Sequence, residues 1–249
     1  MDIRKKALEK IRKQLKEKKA QRDTLIIKAV DTIDALNKSI NLLYEKLGNW
    51  YSLYFPELWR EIDDLEKYVK MIAEYGYKDE FPGKYRSLAE KSIGADFEDR
   101  DIEKMVELAK TIEGMISYRD KLENYVRKLV REVAPNLSEV CGEKLAARLI
   151  NEAGSLEKLA EFPASTIQVL GAEKALFAHL TKKVPPPKHG VIFQHPLIRK
   201  SPKKLRGRIA RKLANKIAIA ARTDFFKGEF IGKELKEELE KEINKTYGK

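Results

Sequence analysis

Residues 26–50 read IIKAVDTIDALNKSINLLYEKLGNW. Ile26, Ile33, Ile40 and Leu47 recur every seven residues, and Ala29, Leu36, Leu43 and Trp50 form the interleaved series. Apolar residues at both positions over nearly four heptads predict a helix about 39 Å long with a narrow apolar seam. A second seam follows at Met105, Ile112, Arg119, Val126 and Val133, interleaved with Leu108, Met115, Leu122 and Leu129. Arg119 interrupts it at one core position, the kind of polar residue that fixes register or partner. Two such helices predict a long antiparallel coiled-coil arm, because two core helices of a bundle would carry broader apolar faces.

Between the seams, Trp50, Tyr51, Tyr54, Phe55-Pro56 and Trp59 form an aromatic knot where the first helix must stop. A helix over 57–75 is expected next, punctuated by Gly76 and Phe81-Pro82-Gly83. Asp96, Asp99 and Asp101 suit the positive end of the second long helix better than a metal ion. That helix ends at Val133-Ala134-Pro135-Asn136, since the residue before proline leaves the helical region. Short helices are expected over 138–151, 155–161 and 165–170, the last opened by the capping-box pattern Ser165-x-x-Gln168. Before the first seam, residues 2–20 read as a charged helix with a thin stripe of Ile3, Ala7, Ile11 and Leu15. No segment alternates with period two, so the chain reads as all-α.

Across 249 residues there are 51 Lys and Arg, 39 Asp and Glu, a net charge of +12 and one cysteine. With 43% hydrophobic residues the chain has enough apolar material to exclude a disordered tail. Cys141 alone excludes a disulfide framework or a cysteine-based zinc site, which suits a reducing cytoplasm. No apolar run is long enough to span a bilayer, and no signal-peptide pattern opens the chain.

The charge is unevenly spread. Residues 1–24 carry ten Lys and Arg against Asp2, Glu9, Glu17 and Asp23, which reads as a solvated linker. Residues 174–222 carry fourteen Lys and Arg and no carboxylate, leaving the remainder of the chain acidic. A segment so charged repels itself unless a polyanion neutralises it. An anionic membrane fits less well, because the segment lacks a large aromatic face for insertion.

Just before that segment Gly171 and Ala172 stand at an expected helix start, where free N–H groups attract phosphate, with Lys174 in the first turn. Pro185-Pro186-Pro187 forms a stiff strut ending at Lys188 and His189, whose imidazole can stack on a splayed-out base. No nearby carboxylate completes a metal or acid–base site with His189 and His195, so catalysis is disfavoured and no metal or cofactor is expected. Ser201-Pro202 predicts a helix start, and the helix should run to Arg222. At about 100° per residue, Lys204, Arg208, Arg211, Asn215 and Arg222 line one ridge, opposite Leu205, Ile209, Leu213, Ile217 and Ala220. Arg206 falls within the apolar arc. Such a ridge suits tracking a phosphate backbone.

These residues carry a resemblance. Gly171-Ala172-Glu173-Lys174-Ala175-Leu176-Phe177, Pro186-Pro187-Lys188-His189-Gly190, Ile192-Phe193-Gln194-His195-Pro196 and Arg206-Gly207-Arg208-Ile209-Ala210-Arg211 resemble the Nop-domain family. Within it the chain is most similar to the archaeal scaffold proteins of box C/D guide-RNA particles. The likeness extends upstream through Asp23-Thr24-Leu25-Ile26-Ile27 and Trp50-Tyr51 to Phe55-Pro56-Glu57-Leu58.

The resemblance implies a charged linker at 1–24, a coiled-coil domain at 25–135 and a compact helical Nop domain at 136–249. It implies an archaeal, cytoplasmic, non-enzymatic scaffold without cofactor, supporting guided ribose 2′-O-methylation of rRNA. Implied partners are box C/D guide RNA, a ribosomal-type kink-turn-binding protein and a second copy of the chain. The copies would pair through Ile33, Leu36, Ile40, Leu43, Ile112, Met115, Leu122 and Val126. Implied RNA contacts are Lys174, Lys188, His189, Lys204, Arg208, Arg211, Lys212 and Arg222. Gly171, Ala172, Glu173 and Gln194 would face the composite of RNA and kink-turn protein. Members of the family carry an amino-terminal domain that binds the methyltransferase fibrillarin, and this chain is expected to lack it. A rival reading is a coiled-coil adaptor whose basic segment binds an acidic protein; a histidine-dependent nuclease is the enzyme alternative.

Overall fold

The computed structural model describes residues 22–182 and 184–247, so the stretch read as a helix over 2–20 lies outside them. The described chain runs through α1 (Arg22–Tyr51), α2 (Pro56–Glu61), α3 (Leu65–Tyr75), α4 (Lys84–Ala89) and α5 (Asp99–Val133). It continues through α6 (Pro135–Cys141), α7 (Glu143–Ala153), α8 (Leu156–Glu161), α9 (Ala164–Val169) and α10 (Glu173–Lys182). The last elements are α11 (Pro196–Arg199), α12 (Arg206–Phe225) and α13 (Gly232–Tyr247), with short 3-10 turns at Lys78–Glu80 and Val191–Gln194. Among the described residues there is no strand, and the all-α expectation holds. Two compact units divide the chain at 31/32 and 123/124, inside the boundaries expected from sequence.

The unit Thr32–Glu123 has its own core. Ile40 and Leu47 of α1 and Met105, Ala109 and Ile112 of α5 belong to it, together with Tyr51, Phe55, Tyr68, Ile72 and Phe81. Burial along α1 does not keep the strict heptad. Ile33, Leu36 and Leu43 are half-buried and Trp50 is 40% exposed, while Tyr51 is fully buried. A straight helix drifts by about 20° per heptad, so after three heptads residue 50 lies about 60° off the seam and residue 51, about 40° off, is the nearer of the two. Arg119, the polar intruder, has its guanidinium 2.7 Å from both Glu66 and Asp120, which satisfies it inside its own unit.

The aromatic knot is core. Phe55 meets Phe81 edge-on at 5.5 Å and Trp59 meets Tyr68 at 5.1 Å, the geometry ring quadrupoles favour. The helix expected over 57–75 is two helices, because Asp64 caps the second by accepting the Lys67 N–H at 2.6 Å. Two tyrosines here make opposite predictions. Tyr51 donates to the Gly76 carbonyl at 2.6 Å, whereas the buried Tyr68 hydroxyl has no partner. Tyr51→Phe is therefore expected to lower the unfolding free energy by about 1 kcal/mol, and Tyr68→Phe to leave it unchanged or raise it. Urea-denaturation midpoints of the two variants check the difference in sign.

The other unit comprises the chain from Asn124 onward with the first turns of α1 up to Asp31. Arg22 pairs with Glu132 at 2.7 Å, and Asp23 accepts the Leu156 N–H at 3.0 Å. The central element is α12, whose Ile209, Leu213, Ile217, Ala220 and Ala221 are buried beneath α6, α8, α9 and α13. The helix expected over 138–151 breaks at Gly142 into α6 and α7. Asp224, at the end of α12, clamps the start of α6. Its carboxylate accepts the backbone N–H groups of Asn136 (3.0 Å) and Leu137 (2.8 Å) and the Asn136 side-chain amide (2.8 Å). Cys141 is buried, and burial pushes its thiol pKa up, consistent with a packing role.

Candidate nucleic-acid interface

The basic segment folds into three neighbouring features of the second unit. The first is the outer face of α12. The helix begins at Arg206 rather than at Ser201-Pro202, and the Ser201 hydroxyl donates to the Leu197 carbonyl in the preceding turn. Lys204 is consequently an exposed residue of the preceding turn, while Arg208, Arg211 and Asn215 project from the helix itself. Arg222 is also exposed, but its guanidinium donates to the carbonyls of Ala160 (3.0 Å) and Phe162 (3.4 Å), capping the end of α8.

Lys212 faces the other way. Its ammonium donates to the Glu242 carbonyl at 2.7 Å and lies 3.6 Å from that residue's carboxylate. Lys216 is buried between Glu238 (2.6 Å) and Glu242 (3.3 Å). Part of the charge in 174–222 is thus neutralised by α13, and the self-repulsion expected of the isolated segment is correspondingly reduced. What remains exposed on α12 is the arginine face.

The second feature is a stack of planar groups. The His189 ring lies parallel to Phe193, with centroids 4.5 Å apart and planes 14° apart. The Arg206 guanidinium sits 5.3 Å from the centroid of the same phenyl ring, and its Nε donates to the Ser201 carbonyl at 3.0 Å. Burial, reinforced by the charges of Arg206 and Lys188, lowers the His189 pKa below its usual value, which favours the neutral imidazole. Arg206, set aside by the angular reading, turns out to support the stack from the first turn of α12.

The segment carrying His189 is stitched to the end of α9. Gln168 donates to the Lys188 carbonyl at 2.8 Å, so it anchors this loop instead of closing a capping box with Ser165. The Gly190 N–H donates to the Gln168 carbonyl and the Val191 N–H to the Leu170 carbonyl, each at 2.8 Å. A Cβ on Gly190 would lie 1.9 Å from the Leu170 oxygen, so only glycine permits this approach. Lys188 is exposed beside Gly207 of α12, and Gln194 is exposed at the end of the second 3-10 turn.

The third feature is α10, none of whose side chains is buried. Phe177 is 67% exposed and Leu180 74%, with Leu176 and Val184 also on the surface. Sequence reasoning named only the start of this helix. Gly171 turns there with φ of 78°, and its N–H donates to the Glu173 carboxylate at 2.8 Å, so that donor is already occupied. Ala172 is half-buried, and Lys174 is exposed in the first turn. Large apolar side chains left exposed together on one helix mark a contact surface.

Among the described residues no group of three or more His, Cys, Asp and Glu is placed to hold a metal ion. No helix among them is long and apolar enough to cross a membrane.

Residues 32–245 match the family model Nop, described as snoRNA binding domain, fibrillarin. An uncharacterized NOP5 family protein of Methanocaldococcus jannaschii is 46% identical over 96% of this chain and 61% of its own length. Nucleolar protein 56 of Caenorhabditis elegans is 36% identical over 88% of this chain and 50% of its own length. The chain therefore spans about half to three-fifths of these relatives. Among solved structures, the crystal structure of a fibrillarin/Nop5p complex aligns with 98% of this chain and 77% of that chain, with a TM-score of 0.61 and 29% identity. With the family model matching residues 32–245, most of its length, the chain belongs to the Nop family.

Proposed function

We propose that this chain is a non-enzymatic scaffold of an archaeal box C/D guide-RNA particle, binding kink-turn RNA together with its kink-turn-binding protein. The observation that carries the reading is the arginine face of α12 beside the His189–Phe193–Arg206 stack, next to a bare apolar helix. Arginines grip phosphate, a neutral imidazole offers a face for a base, and apolar side chains fit a protein surface. RNA and protein would then be read together by one unit. Lys174, Lys188 and Lys204 extend the cationic surface; Lys212, pinned to α13, contributes only to its field.

Two copies of the chain would pair through Ile33, Leu36, Leu43, Met115 and Leu122, which keep exposed surface. Ile40, Ile112 and Val126, also expected at that seam, are buried within the chain. Fibrillarin, named in the family description and in the solved complex, would be the methyltransferase of the particle, carrying out guided ribose 2′-O-methylation of rRNA. The resemblance to a Methanocaldococcus protein supports a cytoplasmic, archaeal setting.

Arg211 gives the cleanest test, since it is exposed on α12. Arg211→Ala is expected to weaken assembly and to reduce the slope of log K against log salt by about one, the signature of a lost phosphate contact. Fluorescence titrations at several salt concentrations measure this, and an unchanged slope would remove Arg211 from the interface. Arg222→Ala is less selective, because it also uncaps α8.

A further inference from the structure

Beyond the arginines, the same face of α12 ends in an aromatic knuckle that the proposed contacts do not use. At about 100° per residue, Arg208, Arg211, Asn215, Ile219, Arg222 and Phe226 fall within one arc of about 80°. Phe226 is 75% exposed, Phe230 52% and Ile219 41%, a concentration of large apolar side chains that the core does not explain.

The backbone of the knuckle is tied down. Phe225 stands edge-on to Phe226, with centroids 5.0 Å apart. Lys227 takes a left-handed φ of 54°, unfavourable for a side chain with a Cβ. Its N–H donates to the Asp224 carbonyl (3.3 Å), and the Gly228 N–H donates to the Thr223 carbonyl (2.8 Å). On the far side Asn136 donates to the Glu229 carbonyl (3.3 Å) and accepts the Ile231 N–H (2.7 Å). A strained backbone tied down on both sides, with its aromatic ring facing solvent, is preorganised for contact.

We propose that Phe226 is a stacking platform for an unpaired nucleobase of the bound RNA, continuing the phosphate track laid down by Arg208 and Arg211. The proposal rests on the RNA-binding reading of α12. Charge selects the occupant: Lys227, next in the chain, and Arg222, one helical turn earlier, are exposed cations, although the Arg222 guanidinium also caps α8, while Asp224 turns its carboxylate inward to α6. Glu229, two residues beyond Lys227, is the exposed carboxylate of this loop. Base–aromatic stacking tolerates any base, so the platform would add affinity without reading sequence.

The test titrates a labelled kink-turn guide RNA, saturated with its kink-turn-binding protein, against the whole chain and three variants. Phe226→Ala is expected to weaken binding by roughly 5- to 150-fold without altering the salt slope, and Phe226→Trp to retain it. Arg211→Ala should reduce the slope. If Phe226→Ala binds like the parent while Arg211→Ala is weakened, the platform is refuted and the RNA reading of α12 stands. If neither variant differs from the parent, the RNA reading falls and takes the platform with it. If Phe226→Ala instead weakens binding to the kink-turn protein without RNA, a protein occupies the knuckle and the proposal is overturned. Thermal unfolding of Phe226→Ala should match the parent, since the ring is mostly solvated.

Discussion

The double substitution Phe177→Asp, Leu180→Asp is expected to abolish docking of the RNA–kink-turn protein complex while leaving the chain folded. Both side chains project from α10 into solvent, and that helix buries no residue of its own, so little stability is lost by making it polar. Covering two large apolar side chains contributes about 1.5–3 kcal/mol each. Their loss, with two carboxylates facing a partner, corresponds to about a hundredfold or greater drop in affinity. Size-exclusion chromatography of the mixed components, with circular dichroism as the folding control, measures it. Undiminished assembly would mean that α10 faces something other than the composite surface.

Asp224→Ala is expected to cost about 2–4 kcal/mol of folding stability, the largest effect of any single surface-proximal change proposed for this chain. Three N–H groups lose their acceptor at once, two of them at the start of α6, where no helical partner exists. Burial raises the Asp224 pKa and the three donors oppose that rise, so the carboxylate is held by the groups it caps. The clamp also fixes the loop that displays Phe226, and its removal should lower RNA affinity beyond the loss of folded protein. Urea denaturation of Asp224→Ala beside Arg211→Ala separates the two kinds of residue: a lowered midpoint for the first and an unchanged one for the second. Equal midpoints would contradict the clamp.

How much of this was legible in sequence depended on whether the information was local. Heptad spacing located both long helices to within a few residues at their ends, and Pro135 marked the junction after α5 correctly. Trp50 was misplaced because a seven-residue repeat and a straight helix diverge after three heptads. The arginines of α12 were found from angles alone, since Arg208 and Arg211 share a face wherever the helix begins. Lys204 lost its place on the ridge because the start does matter for a residue before Arg206.

Tertiary partners were invisible to the same reading. The carboxylates that neutralise Lys212 and Lys216 sit on α13, outside the acid-free window that drew attention to the segment. Gln168 had the spacing of a capping box, yet its amide holds the Lys188 carbonyl twenty residues away. Arg206 reads as misplaced on an apolar arc, but in the first turn of a helix its side chain can reach back over Phe193. Nothing in Glu173-Lys174-Ala175-Leu176-Phe177 distinguishes a packed amphipathic helix from a bare one; only the exposure of its side chains in the fold does.

Reading RNA and protein as one surface is the defining property proposed for this unit. Its most direct test is a pair of titrations of the same labelled kink-turn RNA with this chain, one without and one with saturating kink-turn-binding protein. Composite recognition predicts binding tighter by about tenfold or more when the protein is present. Equal affinities in the two titrations would contradict it.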